Sequence, residues 1–244
     1  GPLLFVGAIS IWTLEGLPRV AILGWLVSLT LFLKMRGVRR PHPIPPEIRS
    51  FLPLMRRLFI PVFVILIGRS FLISSITVFL PTLMVREGAT ILVAAGALSI
   101  YELAGVGGAL VSGTLSDRYG RKTVLLVALS ASATMVLVLL KAQGWLVIPA
   151  LSLLGFATLS CQPVMLAIIQ DQMPNHRALA NGVYLAMSFV MRPLAAVVIG
   201  ILGDWLTLRH AFLVTAFIVL GSLVAVRWLP GERISNQKSM LRRE

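Results

Sequence analysis

Charge is scarce in this chain. Asp, Glu, Lys and Arg make up 13% of its 244 residues, against roughly 25% in an ordinary soluble domain. Acids are the scarcer half, with nine Asp and Glu against 22 Lys and Arg and a net charge of +13. Together with a mean hydropathy of +0.92, this excludes a soluble globular enzyme, a disordered chain and a coiled coil. Cysteine is nearly absent. Cys161 alone permits no intrachain disulfide, and a small buried apolar side chain is its expected role. The three histidines, His42, His176 and His210, lie outside the long apolar runs without metal-ligand spacing. No metal and no other cofactor is expected. P-loops, nucleophile elbows and metal-binding helix motifs are missing as well, so no enzymatic activity is expected. A basic excess in a soluble protein would suggest nucleic acid. Here most basic residues sit between apolar runs, and a nucleic-acid partner is not expected. Gly1 is not an initiator methionine, and no basic segment with a cleavage site precedes the first apolar run. The chain therefore reads as a piece of a longer one.

Long apolar runs are what the sequence has in abundance, at 57% apolar residues. A helix needs about 20 predominantly apolar residues to cross a hydrocarbon core of roughly 30 Å. A short run, Gly1–Leu14, reads as the tail of a truncated helix. Spans are then expected at Leu17–Met35, Leu58–Met84, Ala89–Gly113, Thr123–Leu140, Trp145–Ile169, Ala180–Gly203 and Ala211–Val226. The fold class is an all-α polytopic membrane protein, with the lipid bilayer as its first partner.

Basic residues in the connections set the expected orientation. One set of alternate connections carries 16 Lys and Arg, and the other carries only Arg19, Arg86, Lys141 and Arg209. The first set, with the C-terminus, is expected on the cytoplasmic side of a bacterial-type inner membrane. One connection is long, basic and rich in proline, with Pro41, Pro43, Pro45 and Pro46. Proline favours extended geometry, so 36–57 reads as a semi-rigid linker between two bundles, and its charge also suits anionic lipid. The expected division is 1–35, the end of an N-terminal bundle; 36–57, the linker; 58–229, a six-helix bundle; and 230–244, a basic tail.

The connection after Ala89–Gly113 reads Gly113-Thr-Leu-Ser-Asp117-Arg118-Tyr-Gly120-Arg121-Lys122. Gly113 would let a neighbouring helix approach closely, and Gly120 permits a reversal without a Cβ penalty. Asp117 can accept from basic groups of the same turn, while Arg118, Arg121 and Lys122 anchor it at the membrane face. This string resembles the G-x-L-x-D-R-x-G-R-K loop signature of the major facilitator superfamily. In that family the signature follows the second helix of each six-helix half. The resemblance thus implies that Leu58–Val226 is a C-terminal half, and that a partner N-terminal half is missing. Arg69-Ser70, Phe79-Leu80-Pro81, Gln170–Pro174 and Gly200–Asp204 resemble the fosmidomycin-resistance-like group within it. What the resemblance implies is secondary transport of a small solute by alternating access, with proton-coupled export of a drug or anionic compound as one form of it.

Three ionisable residues fall inside spans: Arg69, Glu102 and Arg192. Such residues mark functional sites by default. Arg69 and Glu102 each lie eleven residues from the same membrane face, about 16 Å deep at 1.5 Å per residue. An ion pair between them is expected, either as a static helix contact or as part of the solute pathway. Glu102 also shares a small-residue stripe with Gly105, Ala109 and Gly113, which would allow close packing. Arg192 has no visible carboxylate partner but continues a polar stripe through Asn181, Tyr184 and Ser188. Such a stripe faces protein or a water-filled pathway. Pro193 beside it removes a backbone hydrogen bond, and Gln162 with Pro163 sits near mid-depth in the preceding span. Thr123–Leu140 and Ala211–Val226, poor in hydroxyls, are expected on the lipid-facing exterior. Two arginines against one glutamate lean towards an anionic or phosphonate-like solute, with drug export left open. A non-transporting sensor or scaffold on a transporter fold is the alternative, and this piece alone is not expected to transport.

Overall fold

The structure, a computed structural model, describes residues 18–35 and 48–229, with side chains for 25–34, 56–174 and 176–229. Eight α-helices follow one another among the described residues, with no strand. They are α1 (Pro18–Met35), α2 (Ile48–Ser74), α3 (Leu80–Arg86), α4 (Ile91–Tyr119), α5 (Arg121–Leu139), α6 (Val147–Gln172), α7 (Arg177–Trp205) and α8 (Leu208–Trp228). A π-helical turn at Ser75–Phe79 joins α2 to α3, and short 3₁₀ turns precede α6 and α7. Six helical stretches are long and apolar enough to cross a membrane: Arg56–Arg86, Ile91–Tyr119, Arg121–Leu139, Gly144–Gln172, Arg177–Trp205 and Leu208–Trp228. They correspond one to one with the six spans expected after the linker. The chain is an integral membrane protein of the all-α class. α1 covers the expected Leu17–Met35, and its described side chains, Trp25–Lys34, are exposed. The run Gly1–Leu14 and the tail 230–244 lie outside the described residues.

Part of the expected linker is helical. α2 begins at Ile48, directly after the proline cluster, and runs without a break through Arg56 and Arg57 into the apolar span. Charge ends a membrane run but not a helix, because an arginine is a good helix former in water. Residues 36–47 lie outside the described residues.

Local sequence explains the other boundaries. Thr90 caps α4 by accepting from the Val93 N–H at 3.3 Å, and Thr207 caps α8 through the His210 N–H at 3.4 Å. Gly120 adopts φ +89 between α4 and α5, a conformation open to glycine, so α5 starts within one residue of the end of α4. The π turn answers to Pro81. In an α-helix its ring would strike the Thr77 carbonyl. The widened turn, closed by the Leu80 N–H on the Ser75 carbonyl, carries the chain past it.

Packing joins helices distant in sequence as well as neighbours. α4 and α5 both lie on α6, while α7 and α8 both lie on α2, and α5 meets α8. The bundle is thus two triplets, α2–α4–α5 and α6–α7–α8, in which the first helix of each receives the last two of the other. Glycine sets the tightest seam. A Cβ at Gly155 of α6 would fall 2.0 Å from the Tyr101 carbonyl oxygen, and one at Gly108 of α4 only 2.2 Å from the Phe156 carbonyl oxygen. Ile65, Leu72, Leu125, Leu129, Leu151 and Phe212 form part of the fully buried core around these contacts.

One packing expectation is corrected. A Cβ at Gly113 meets nothing within 4 Å. Close approach along α4 therefore falls to Gly105 and Gly108, which face Leu159 and Phe156 of α6. α5 and α8, expected on the lipid-facing exterior, each keep an exposed apolar face, with Val127 and Val138 on α5 and Phe217 and Val224 on α8. Their buried hydroxyls face the bundle, where Ser132 accepts from Thr158 at 3.2 Å, Thr215 meets Ser75 at 2.8 Å and Ser222 crowds Gly68, while Thr123 and Thr134 of α5 are exposed. α7 is the helix least covered, with 17% of its apolar window buried against 39–61% in the other five.

Candidate functional site

The polar residues of α2, α4, α6 and α7 converge inside the bundle on Arg69. Its side chain is 1% exposed, the largest of the fully buried side chains. Nη2 donates to Oε1 of Gln162 on α6 at 2.8 Å, and Nη1 donates to the Tyr184 hydroxyl on α7 at 3.4 Å. The Tyr184 hydroxyl in turn points to Sδ of Met165 at 4.0 Å. Arg69 Nε has no hydrogen-bond partner among the described residues, and neither has the hydroxyl of Tyr101 on α4, itself 1% exposed. Thr158, near Tyr101, donates instead to Ser132. Arg192 is half-buried and lies within electrostatic reach of Arg69, Tyr101 and Tyr184.

Further hydrogen bonds from side chains tie these helices together. Tyr184 and Ser188 are buried on the inner face of α7, where the Ser188 hydroxyl donates to the Tyr184 carbonyl at 2.9 Å. Asn181, one turn earlier, accepts from Gln170 of α6 at 3.4 Å. Ser74 of α2 donates to the Arg192 carbonyl at 3.0 Å, tying α2 to α7 beside Pro193. Gln162 precedes Pro163, which interrupts the hydrogen bonding of α6. The cluster has a sealed wall of Arg69, Tyr101 and Tyr184 and an accessible rim of Gln162 and Arg192.

The expected Arg69–Glu102 pair is not formed. Both hydrogen bonds of Arg69 go to neutral side chains, and no ion pair among the described residues includes Arg69 or Glu102. Equal depth is not adjacency, because α4 packs on α6 and not on α2. The buried face of α4 is that of Tyr101, Gly105, Gly108 and Ser112, and Glu102 stands one residue, about 100°, away from it. Tyr101 is the site residue that the search for charges missed. Its spacing of four, three and four to Gly105, Gly108 and Ser112 was the available signal.

The cluster is electrostatically one-sided. Arg69 bonds only neutral side chains, a second guanidinium, Arg192, lies within electrostatic reach, and neither forms an ion pair with a carboxylate among the described residues. Desolvating one such ion costs on the order of several kcal/mol. Partly unmet donors, Arg69 Nε and the Tyr101 hydroxyl, sit beside that positive charge. Chemically, the arrangement favours an oxygen-bearing anion.

At the Gly120 end the loop signature forms a second polar group. Arg121 lies 3.6 Å from Asp117, one turn before it, and also pairs with Asp171 near the end of α6 while donating to the Ala167 carbonyl. Lys122 donates to the Leu229 carbonyl at 2.5 Å, closing the C-terminus of α8. Arg118 stacks over the Tyr119 ring at 5.5 Å. Asp117 is 70% exposed. Asp171 is the partner that reading the signature alone did not supply. At the opposite end Arg209 bonds Glu87 at 3.3 Å and the Leu140 carbonyl, joining the ends of α3, α5 and α8.

Six apolar helices around a polar cluster define a polytopic membrane protein with a buried polar site. The family profile of the Major Facilitator Superfamily matches residues 16–157 and 58–242, and the chain belongs to that superfamily. Among curated relatives, it is 31% identical over 125 residues to the "Uncharacterized MFS-type transporter YfnC" of Bacillus subtilis (strain 168). It is 26% identical over 127 residues to the "Fosmidomycin resistance protein" of Escherichia coli (strain K12). These matches cover 51% and 52% of this chain, and 31% of the length of each relative.

Proposed function

We propose that this chain forms part of a secondary transporter, and that its solute is anionic. Arg69 carries the reading. It is a fully buried guanidinium with neutral partners and a free Nε, and its positive charge is best balanced by an anion that comes and goes. Arg192 and Gln162 form the accessible rim through which such a solute would reach it. Arg192, with its planar fork, is suited to hold an oxyanion bidentately. Gln162 would exchange its bond with Arg69 for one with the solute. Alternating access rocks two bundles about a site near mid-membrane, so transport belongs to the whole protein that carries this chain and not to residues 1–244 alone. Proton coupling and export are the finer expectations, with the Gly120 end on the cytoplasmic side. The name of the Escherichia coli relative is consistent with export of a toxic compound.

The test is flux into proteoliposomes containing the whole protein, with a radiolabelled organic phosphonate, a carboxylate and a neutral solute of matched size. Saturable flux of an anion, lowered at least fivefold by Arg192→Lys at equal protein content, is the expected result. Saturable anion binding without flux would assign the fold to a sensor. Flux confined to the neutral solute would overturn the anion assignment.

A further inference from the structure

α4, α5 and α6 enclose a second feature, remote in character from the polar cluster. A groove of about 380 Å³ runs between α4 and α5 with α6 as its floor, at the small end of ligand pockets, which span about 300–1,000 Å³. Its walls include Tyr119, Val127, Ala131, Met135, Leu153 and Phe156. Four hydroxyl residues line it: Tyr119 and Thr123 stand exposed at the Gly120 end, and the two deeper serines are engaged. Ser112 donates to the Ala109 carbonyl at 3.1 Å and Ser160 to the Phe156 carbonyl at 2.6 Å, both on their own helices. Val127 and Leu153 are strongly exposed, so the groove opens outward from the bundle.

The groove has a length and a polarity. From Thr123 to Met135 along α5 it extends about 18 Å at 1.5 Å per residue, close to one leaflet of a hydrocarbon core of roughly 30 Å. Its Gly120 end is basic. Arg118 holds its guanidinium 5.5 Å from the centre of the Tyr119 ring, which is itself a groove wall, and makes no ion pair among the described residues. α5 starts at the same end with no acid in its own first turn and no side-chain cap. Asp117, the acid of that turn, is engaged by Arg121.

We propose that this groove is a binding site for an anionic phospholipid, with one acyl chain lying along Val127, Ala131 and Phe156 and the phosphate on Arg118. The apolar walls select a hydrocarbon chain, and the single unpaired arginine at the mouth selects the headgroup charge. Basic pockets at the ends of membrane helices recognise anionic headgroups in this way. The site is separate from the Arg69 cluster and does not depend on what the protein transports.

The test is lipid titration of the whole protein in detergent, read by native mass spectrometry and by thermal stability, using phosphatidylglycerol, phosphatidylcholine with the same chains, and inorganic phosphate. Phosphatidylglycerol is expected to bind at least fivefold more tightly than phosphatidylcholine, and phosphate alone is expected not to stabilise the protein. Arg118→Gln should remove that preference, while Val127→Trp, which fills an exposed part of the groove, should weaken both lipids. Ala131→Leu serves as the milder filling variant if Val127→Trp does not fold. Equal affinity for the two lipids in the unaltered protein, or phosphatidylglycerol binding unchanged by both filling variants, would overturn the assignment.

Discussion

Arg69 on α2 donates to Gln162 on α6 at 2.8 Å, so a neutral amide occupies the place where a buried arginine would ordinarily meet a carboxylate. This contact links the first helices of the two triplets. Gln162→Glu would convert it into an ion pair and halve the positive charge of the cluster. Its expected outcome is a melting temperature at or above that of the unaltered protein, with loss of anion binding. Gln162→Ala should lower stability by about 1 kcal/mol, in the range of polar contacts inside membranes. Thermal unfolding in detergent, with and without an anionic solute, measures both.

Glu102 should be energetically independent of Arg69. In a double-mutant cycle of Glu102→Gln with Arg69→Gln, the coupling is expected below about 0.5 kcal/mol, the level at which separate sites add. A coupling of 1 kcal/mol or more would restore the ion pair that equal depth suggested.

Glycine substitutions along α4 and α6 should divide sharply. Gly155→Ala and Gly108→Ala place a methyl group 2.0 and 2.2 Å from backbone carbonyl oxygens across the seam, where no side chain can swing aside. Each is expected to cost about 1–3 kcal/mol, the scale of overpacking. Gly113→Ala, with nothing within 4 Å, should leave the stability of the bundle unchanged. Urea or thermal melting of the three variants side by side reads the contrast.

The loop signature should depend on Arg121 more than on either acid. Arg121→Gln gives up Asp117, Asp171 and the Ala167 carbonyl together, with an expected cost of about 1–2 kcal/mol for charge-assisted bonds. Asp117→Asn removes only a 3.6 Å pair with an exposed carboxylate and should cost less than about 0.5 kcal/mol, as surface pairs do. Asp171→Asn should fall between them. Melting of the three variants establishes the order.

The spans were legible in the sequence because hydropathy is additive along a chain. Six long apolar stretches gave six long helices, displaced by a few residues where arginine ended the apolar run but not the helix, as at Ile48–Arg57. The turn at Gly120 was legible too, since a glycine there has a local steric reason. Which helices touch was not. That depends on three-dimensional packing, and α4 packs most closely on α6, and not on α2, through Gly105, Gly108 and Gly155. Counting depth therefore placed Glu102 level with Arg69 without placing it nearby. The stripe Asn181, Tyr184, Ser188 and Arg192 could be read as one helix face. Gln162 could be picked out beside Pro163, whereas Tyr101 comes from another helix and carries no charge to draw attention to it.

The central claim is that the Arg69–Arg192 cluster receives an anion, and ligand-induced stabilisation tests it most directly. The whole protein in detergent is heated with an organic phosphonate, a carboxylate, and cationic and neutral compounds of the same size. The expected result is a concentration-dependent rise in melting temperature with one or more anions only, abolished in Arg192→Gln while the unliganded melting temperature stays within about 2 °C, as for a change near 0.5 kcal/mol in a chain of this size. Stabilisation by the cationic compound, or anion stabilisation that survives Arg192→Gln and Gln162→Glu alike, would contradict the claim.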